Sequence, residues 1–229
     1  MNEGPLHAAL KTWYAQPGDR FEVAVDGFVI DIVRDGLLLE IQTGSVASLK
    51  PKLAHLAQSH RIRLIYPIAQ EKWITHLSKV DGGRGPRRKS PKRGRVEDLF
   101  WEIVSIPQVL AHANLSFEVV MIREEEARRF GAKRKRGRRR WGVDERRLLE
   151  VVDQRVFDQP SDWLALLPEG LESFTTSDLA AALGIPRELA QKMAYCLRAM
   201  RIIELTGKQG RANQYRMGRV RPRVRRCRR

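Results

Sequence analysis

Cysteine is scarce in this 229-residue chain: Cys196 lies inside an apolar helical pattern and Cys227 in an arginine-rich tail. Two such positions give neither a disulfide framework nor a zinc-ligand spacing, which fits a reducing compartment and excludes structural zinc. Long apolar runs are missing too. No stretch approaches the roughly 18–20 residues that a transmembrane helix needs. The start, Met1 to Lys11, lacks the positive flank and apolar stretch of a secretory signal. A cytoplasmic location with no membrane partner is the expectation. There is no strand–GxxxxGK[ST]–helix phosphate loop, and the histidines at 7, 55, 60, 76 and 112 form no metal-binding pair. His7, between Glu3 and Lys11, is the one histidine near other charged groups of the first helix. No Ser/His/Asp or Cys/His arrangement has a local context for covalent catalysis.

What the chain has in excess is positive charge. It carries 43 Lys+Arg against 27 Asp+Glu, a net +16, with 42% apolar residues that suffice for a globular core. Placement matters more than the total. Arg84 to Arg95 holds seven basic residues, Lys133 to Arg140 another seven and Arg216 to Arg229 eight, none with an acid among them. The remainder is mildly acidic, with 21 basic and 27 acidic residues. Clusters of one sign repel each other and gain by displacing counterions from phosphate, so a polyanion is the expected partner: DNA first, with RNA not excluded. The competing reading is a set of solvated linkers and a frayed tail.

The apolar period changes in a readable order. Leu6, Ala9, Leu10, Trp13 and Tyr14 recur at helical spacing, with Asn2 to cap them and Pro17-Gly18 to end them. Residues 20–25, 28–33 and 37–42 read as strands separated by Asp26-Gly27 and Asp35-Gly36, the dipeptides that hairpin turns favour. Val46, Leu49, Leu53, Leu56 and Ala57 predict a second helix, and 61–67 a fourth strand, with 72–77 a further one. The element order over residues 1–77 is αβββαβ. A basic loop at 82–95 precedes an extension at 96–130 containing a helical segment broken at Pro107 and a strand at 115–122. Residues 131–143 read as a basic linker, 144–217 as a second domain starting with a helix over 144–155, and 218–229 as a basic tail.

Chemistry centres on two acids. Glu40 and Gln42 leave one face of the third strand, and Asp31 lies across the Asp35-Gly36 turn on the second. Glu40 follows Leu37-Leu38-Leu39, and a carboxylate in such a run costs several kcal/mol to desolvate, roughly, unless a cation pairs with it. Asp31 and Glu40 in this element order resemble the PD-(D/E)xK nuclease superfamily, the restriction-endonuclease-like fold, over residues 1–77. The resemblance implies an α/β mixed-sheet core and a divalent cofactor, Mg²⁺ or Mn²⁺, held by Asp31, Glu40 and the Ile41 carbonyl. It makes Asp31, Glu40, Gln42 and Glu3 the catalytic candidates, with Glu22 a weaker metal ligand. Ile30 stands where the motif has proline, and Gln42 where it has lysine. Glutamine can orient a water but not neutralise charge, so Lys50 or Lys52 of the following helix becomes the substitute. The alternative is that Asp31 faces solvent and Glu40 pairs with a basic neighbour.

The last part has helix-turn-helix grammar. Thr176-Ser177-Asp178 opens a short helix, Gly184 ends it, Pro186 opens a longer one to about Met200, and 202–206 with 211–217 form a hairpin. Leu189, Met193, Leu197 and Met200 make the buried stripe. The order is similar to a winged-helix domain, which implies groove contacts from Arg187, Gln191, Lys192 and Arg198 and hairpin contacts from Lys208 and Arg211. Arg87, Arg88, Lys89, Lys92 and Arg93 of the basic loop join Lys50 and Lys52 as expected DNA contacts. The whole reads as a metal-dependent DNA phosphodiesterase. A catalytically inactive DNA-binding protein of the same fold and a winged-helix transcriptional regulator are the alternatives, and a homodimer would suit an enzyme that cuts both strands.

Overall fold

A computed structural model describes residues 4–78, 83–133, 139–219 and 222–223. It is a mixed α+β protein with a seven-stranded mixed sheet and a separate three-stranded sheet. Within the described residues the chain divides into two compact units, each discontinuous in sequence. One takes residues 1–17, 67–96 and 120–154, the other 18–66, 97–119 and 155–229.

In the second unit, β1 (Arg20–Val25), β2 (Phe28–Arg34) and β3 (Leu37–Ile41) form an antiparallel meander. Its turns work as the Asp-Gly pairs predict. Asp26 and Gly27 take φ of +48° and +81°, Asp35 and Gly36 +45° and +75°, the double left-handed pattern of a type I′ turn. A 3₁₀ turn (Val46–Leu49) and α2 (Lys50–Leu56) follow, and β4 (Arg61–His76) returns parallel to β3 with Glu40 opposite Leu64. Ile30, Ile32, Leu39, Ile41, Leu53, Leu56 and Leu64 are fully enclosed.

The first unit contains α1 (Pro5–Tyr14), which buries Leu6, Leu10 and Tyr14 at four-residue steps and has Gly4, not Asn2, at its cap. Residues 1–3 lie outside the described residues, so Asn2 and the candidate Glu3 do too. The expected strand at 72–77 is no separate element: β4 runs unbroken for 16 residues through Pro67. Proline is tolerated there because the edge of β4 that faces away from β6 is paired with β3 up to Ile65 and with β5 (Arg88–Lys89) only from Trp73, leaving a gap along that edge. The helical segment at 96–109 resolves into a 3₁₀ turn (Val96–Leu99), α3 (Phe100–Ile103) and α4 (Pro107–Leu110).

The largest departure lies beyond. β6 runs from Leu115 to Lys133 and β7 from Arg139 to Phe157, so the helix expected over 144–155 is strand, as are 139–143 of the expected linker. Leu148, Leu149, Val151 and Val152 suit a helical period as well as a strand. Cross-strand ion pairs decide it: Arg129 to Asp144 at 2.9 Å, Arg146 to Glu124 at 2.7 Å, and Arg123 to Glu150. Residues 134–138 lie outside the described residues. The strand order of the large sheet is β1-β2-β3-β4-β6-β7, with β5 on β4.

The remaining elements are α5 (Pro160–Leu164), β8 (Ser173–Thr175), α6 (Thr176–Leu183), α7 (Arg187–Ala199), β9 (Ile203–Gln209) and β10 (Ala212–Met217). The cap of α6 is Thr175, whose hydroxyl accepts from the amides of Ser177 and Asp178 while Asp178 accepts from Thr175. Gly184 ends α6 at φ +62°. The three strands pair in the order β8-β10-β9.

Candidate functional site

Asp31 of β2 and Glu40 of β3 lie just beyond the last paired residues of the two strands, Ile32 opposite Leu39. At that point side chains take over bonding to the main chain. The Ile41 amide donates to Asp31 Oδ2 at 2.7 Å, and the Lys52 ammonium donates to the Val29 carbonyl at 2.6 Å. Lys52 also donates to Glu40 Oε1 at 2.6 Å. The pair is mostly sequestered, the Lys52 and Glu40 side chains retaining 14% and 9% of their exposure. A cation from α2 therefore meets the third-strand acid, the basic partner that the alternative reading gave to Glu40 and a position that the spacing of Lys50 and Lys52 after the strand allows. Of the two lysines it is Lys52 that reaches inward, and Lys50 is exposed.

Gln42 has a different task. Its amide donates to the Ser45 carbonyl at 2.6 Å and to Ser48 Oγ at 3.3 Å, bracing the turn that leads into α2. Glu22 sits exposed on β1 with φ +52°. Among the described residues, no group of three or more His, Cys, Asp or Glu side chains could hold a metal ion. The oxygens that share a partner here are Glu40 Oε1 and the Val29 carbonyl, both bonded to Lys52.

A second feature lies on α6, α7 and the hairpin. Leu189, Ala190, Met193, Ala194, Cys196 and Leu197 bury one side of α7. Arg187, Gln191, Tyr195 and Arg198 form the opposite, exposed stripe and line a cleft of about 350 Å³, closed on the other side by Arg211, Asn213 and Tyr215. Three guanidinium groups and no carboxylate line it. Of the residues expected to contact DNA, Arg187, Gln191, Arg198 and Arg211 line this cleft together. Lys192 does not: its ammonium lies over the Trp101 ring at 5.2 Å and 3.7 Å from Glu188, turned aside by one helical step. Lys208 is exposed on β9 outside the cleft lining. Tyr195, Asn213 and Tyr215 were not expected here, although the two-residue spacing of Arg211, Asn213 and Tyr215 carries the signal. The Cys196 thiol, desolvated in the helix interior, is pushed up to about 12 and is no nucleophile.

The basic loop is largely neutralised within the first unit. Glu71 gathers Lys89 at 2.9 Å, Arg93 at 3.0 Å and Arg123 at 3.3 Å, and the hydrogen bond from Lys89 is the main cause holding its carboxyl below the usual range. Arg84 spans Glu125 and Glu145, and Arg87 lies 3.7 Å from Glu125 and over the Trp73 ring. Of the expected loop contacts, Arg87, Lys89 and Arg93 thus hold acids of β4 and β6, and all three are exposed, as are Arg88 and Lys92. The signal was present in the sequence as Glu124-Glu125-Glu126, a strand segment too acidic to be buried without partners. Glu126 shows the balance. Burial acts to raise its carboxyl, but hydrogen bonds from Lys72 and Arg128 outweigh it and the net shift is downward.

No solved structure matches this chain. A protein of Treponema pallidum (strain Nichols), described as an uncharacterized protein, is 31% identical over 223 residues, covering 93% of this chain and 85% of that protein. Residues 4–158 match the family model described as Domain of unknown function (DUF8091), and the chain belongs to that family.

Proposed function

We propose that the chain is a metal-dependent DNA phosphodiesterase on the plan of the PD-(D/E)xK nucleases, with residues 173–217 acting as a winged helix that grips the duplex. The observation that carries the reading is Lys52 at 2.6 Å from Glu40. It supports a lysine supplied from the helix after the motif strand, in place of the one that Gln42 replaces. Asp31, Glu40 and the Ile41 carbonyl are hard oxygen donors of the kind that Mg²⁺ or Mn²⁺ prefers. Bound there, such an ion supplies Lewis-acid polarisation of the phosphoryl oxygen and a lowered pKa for an attacking water. The chain's own groups do the rest. The Ile41 amide holds the Asp31 carboxylate in one orientation. Lys52 presents a preorganised positive charge where negative charge grows on the phosphoryl oxygens. Arg187, Arg198 and Arg211 meet the phosphate backbone, and Gln191 supplies both a donor and an acceptor toward a base edge.

One observation favours a second reading, a DNA-binding protein without cleavage. Glu40 and Lys52 already neutralise each other, and the Gln42 amide is occupied by Ser45 and Ser48. Plasmid nicking separates the two. With Mg²⁺ or Mn²⁺ the wild-type chain nicks supercoiled plasmid, Asp31→Ala and Glu40→Ala abolish it, and Lys52→Ala slows it about 10²–10³-fold while duplex binding stays. Undiminished duplex binding with no nicking under either metal refutes hydrolysis and leaves the second reading.

A further inference from the structure

We propose that the unit comprising residues 1–17, 67–96 and 120–154 carries its own contact for an unpaired DNA strand, a base-stacking platform built from His76, Phe130 and Trp141. The three side chains come from β4, β6 and β7. The Trp141 indole stacks on the His76 imidazole with ring centres 4.0 Å apart and planes 23° from parallel. Phe130 meets it edge-on at 5.5 Å and 69°. Trp141 nonetheless keeps 43% of its surface exposed. An aromatic cluster that serves packing alone looks different: Trp163, ringed by Phe100, Phe117 and Phe157, is 1% exposed. An indole held by two neighbouring rings and still open to solvent is preorganised to accept another flat ring at little entropic cost.

The surrounding charge selects that ring. The basic segment starting at Arg84 begins beside the platform, where the Gly85 amide donates to the His76 carbonyl at 2.9 Å and Leu77 bridges to Arg84. Arg88, paired in register with Ile74, is exposed, and so is Lys92. An apolar protein partner would gain from the indole but not from this charge. A single-stranded polyanion that carries aromatic rings gains from both. Duplex DNA does not fit, because its bases cover one another and offer no free face within the stack. The proposal rests on the polyanion-binding part of the reading above and is independent of hydrolysis.

The test uses the full chain, fluorescence anisotropy, a labelled oligothymidylate and a labelled duplex of the same length. Trp141→Ala and Trp141→Leu, the second of which keeps apolar volume but removes the ring, weaken oligothymidylate binding about tenfold. Trp141→Phe retains most of the affinity. All three leave duplex affinity unchanged, and Arg187→Ala/Arg211→Ala weakens duplex binding alone. Oligothymidylate affinity that ignores all three Trp141 substitutions overturns the platform while the duplex reading stands. Loss of both affinities together in Trp141→Leu also overturns it, assigning Trp141 a packing role. A wild-type chain that binds oligothymidylate through Trp141 but binds no duplex upholds the platform and refutes the winged-helix grip.

Discussion

At Glu40 a nearly enclosed carboxylate meets a nearly enclosed ammonium, and the energetics of such a pair are asymmetric. Removing one partner strands the other in low dielectric, whereas replacing both with apolar groups of similar size is close to neutral. Lys52→Met is therefore expected to lower unfolding free energy by about 3 kcal/mol in urea titrations, and Lys52→Met/Glu40→Leu to recover most of it. The same variant reports on cation binding. If Asp31 and Glu40 grip a divalent ion, Mn²⁺ raises the melting temperature of Lys52→Met, and the rise disappears in Asp31→Ala/Lys52→Met. Arg223 is a second residue with a tertiary task. Its guanidinium donates to the carbonyls of Leu110, His112 and Leu115 at 2.7, 3.2 and 3.1 Å, closing the end of α4. Arg223→Ala should cost about 1.5–3 kcal/mol by the same titration, which a tail serving only to attract phosphate would not.

Among the elements, α6 depends on its first turn. Thr175 satisfies two amides there, and Thr175→Ala is expected to cost about 1 kcal/mol in denaturant titration. Hydrogen bonds from the Thr175 amide and hydroxyl hold the Asp178 carboxyl below the usual carboxylate range. Because the folded value is depressed, Asp178 contributes fully above the ordinary aspartate pKa, and the contribution is lost as pH falls through the folded value. A pH series of melts should show a shallower acid limb for Asp178→Asn than for the wild type. The pairing of β6 and β7 shows why a local pattern can mislead. Residues 144–155 carry an apolar repeat compatible with a helix, but Glu124 and Asp144 find their arginine partners only across two extended strands.

For the molecule as a whole, the net charge of +16 overstates the field that the proposed duplex binding can use. Arg84, Arg87, Lys89 and Arg93 are held by Glu71 and Glu125, whereas the three arginines of the cleft face no acid in its lining. The salt dependence of duplex binding measures the difference. Replacing Arg187, Arg198 and Arg211 with alanine should reduce the slope of log affinity against log salt by about 3, one counterion for each lost phosphate contact. Replacing Arg87, Lys89 and Arg93 should leave that slope nearly unchanged and lower stability instead. Equal effects of the two sets would contradict this division of the charge.

Sequence by itself determined what depends on a few adjacent residues. The Asp-Gly turns carry their own φ preference and the terminal glycine ends α6, whereas the cap fell one residue earlier than the Thr176-Ser177-Asp178 reading, on Thr175. It also determined the stripe of Arg187, Gln191 and Arg198, because helical periodicity separates that stripe from the buried one. Only the tertiary structure decided which lysine meets Glu40, what Gln42 bonds to, and whether 144–155 is extended. It alone showed that the basic loop is spent on Glu71 and Glu125, and that Phe130 and Trp141 close on each other across seven basic residues. The physical reason is range. Backbone preference and periodicity act over a turn or two, whereas a buried charge chooses its partner from whatever the finished fold brings within about 3 Å, often from many residues away along the chain.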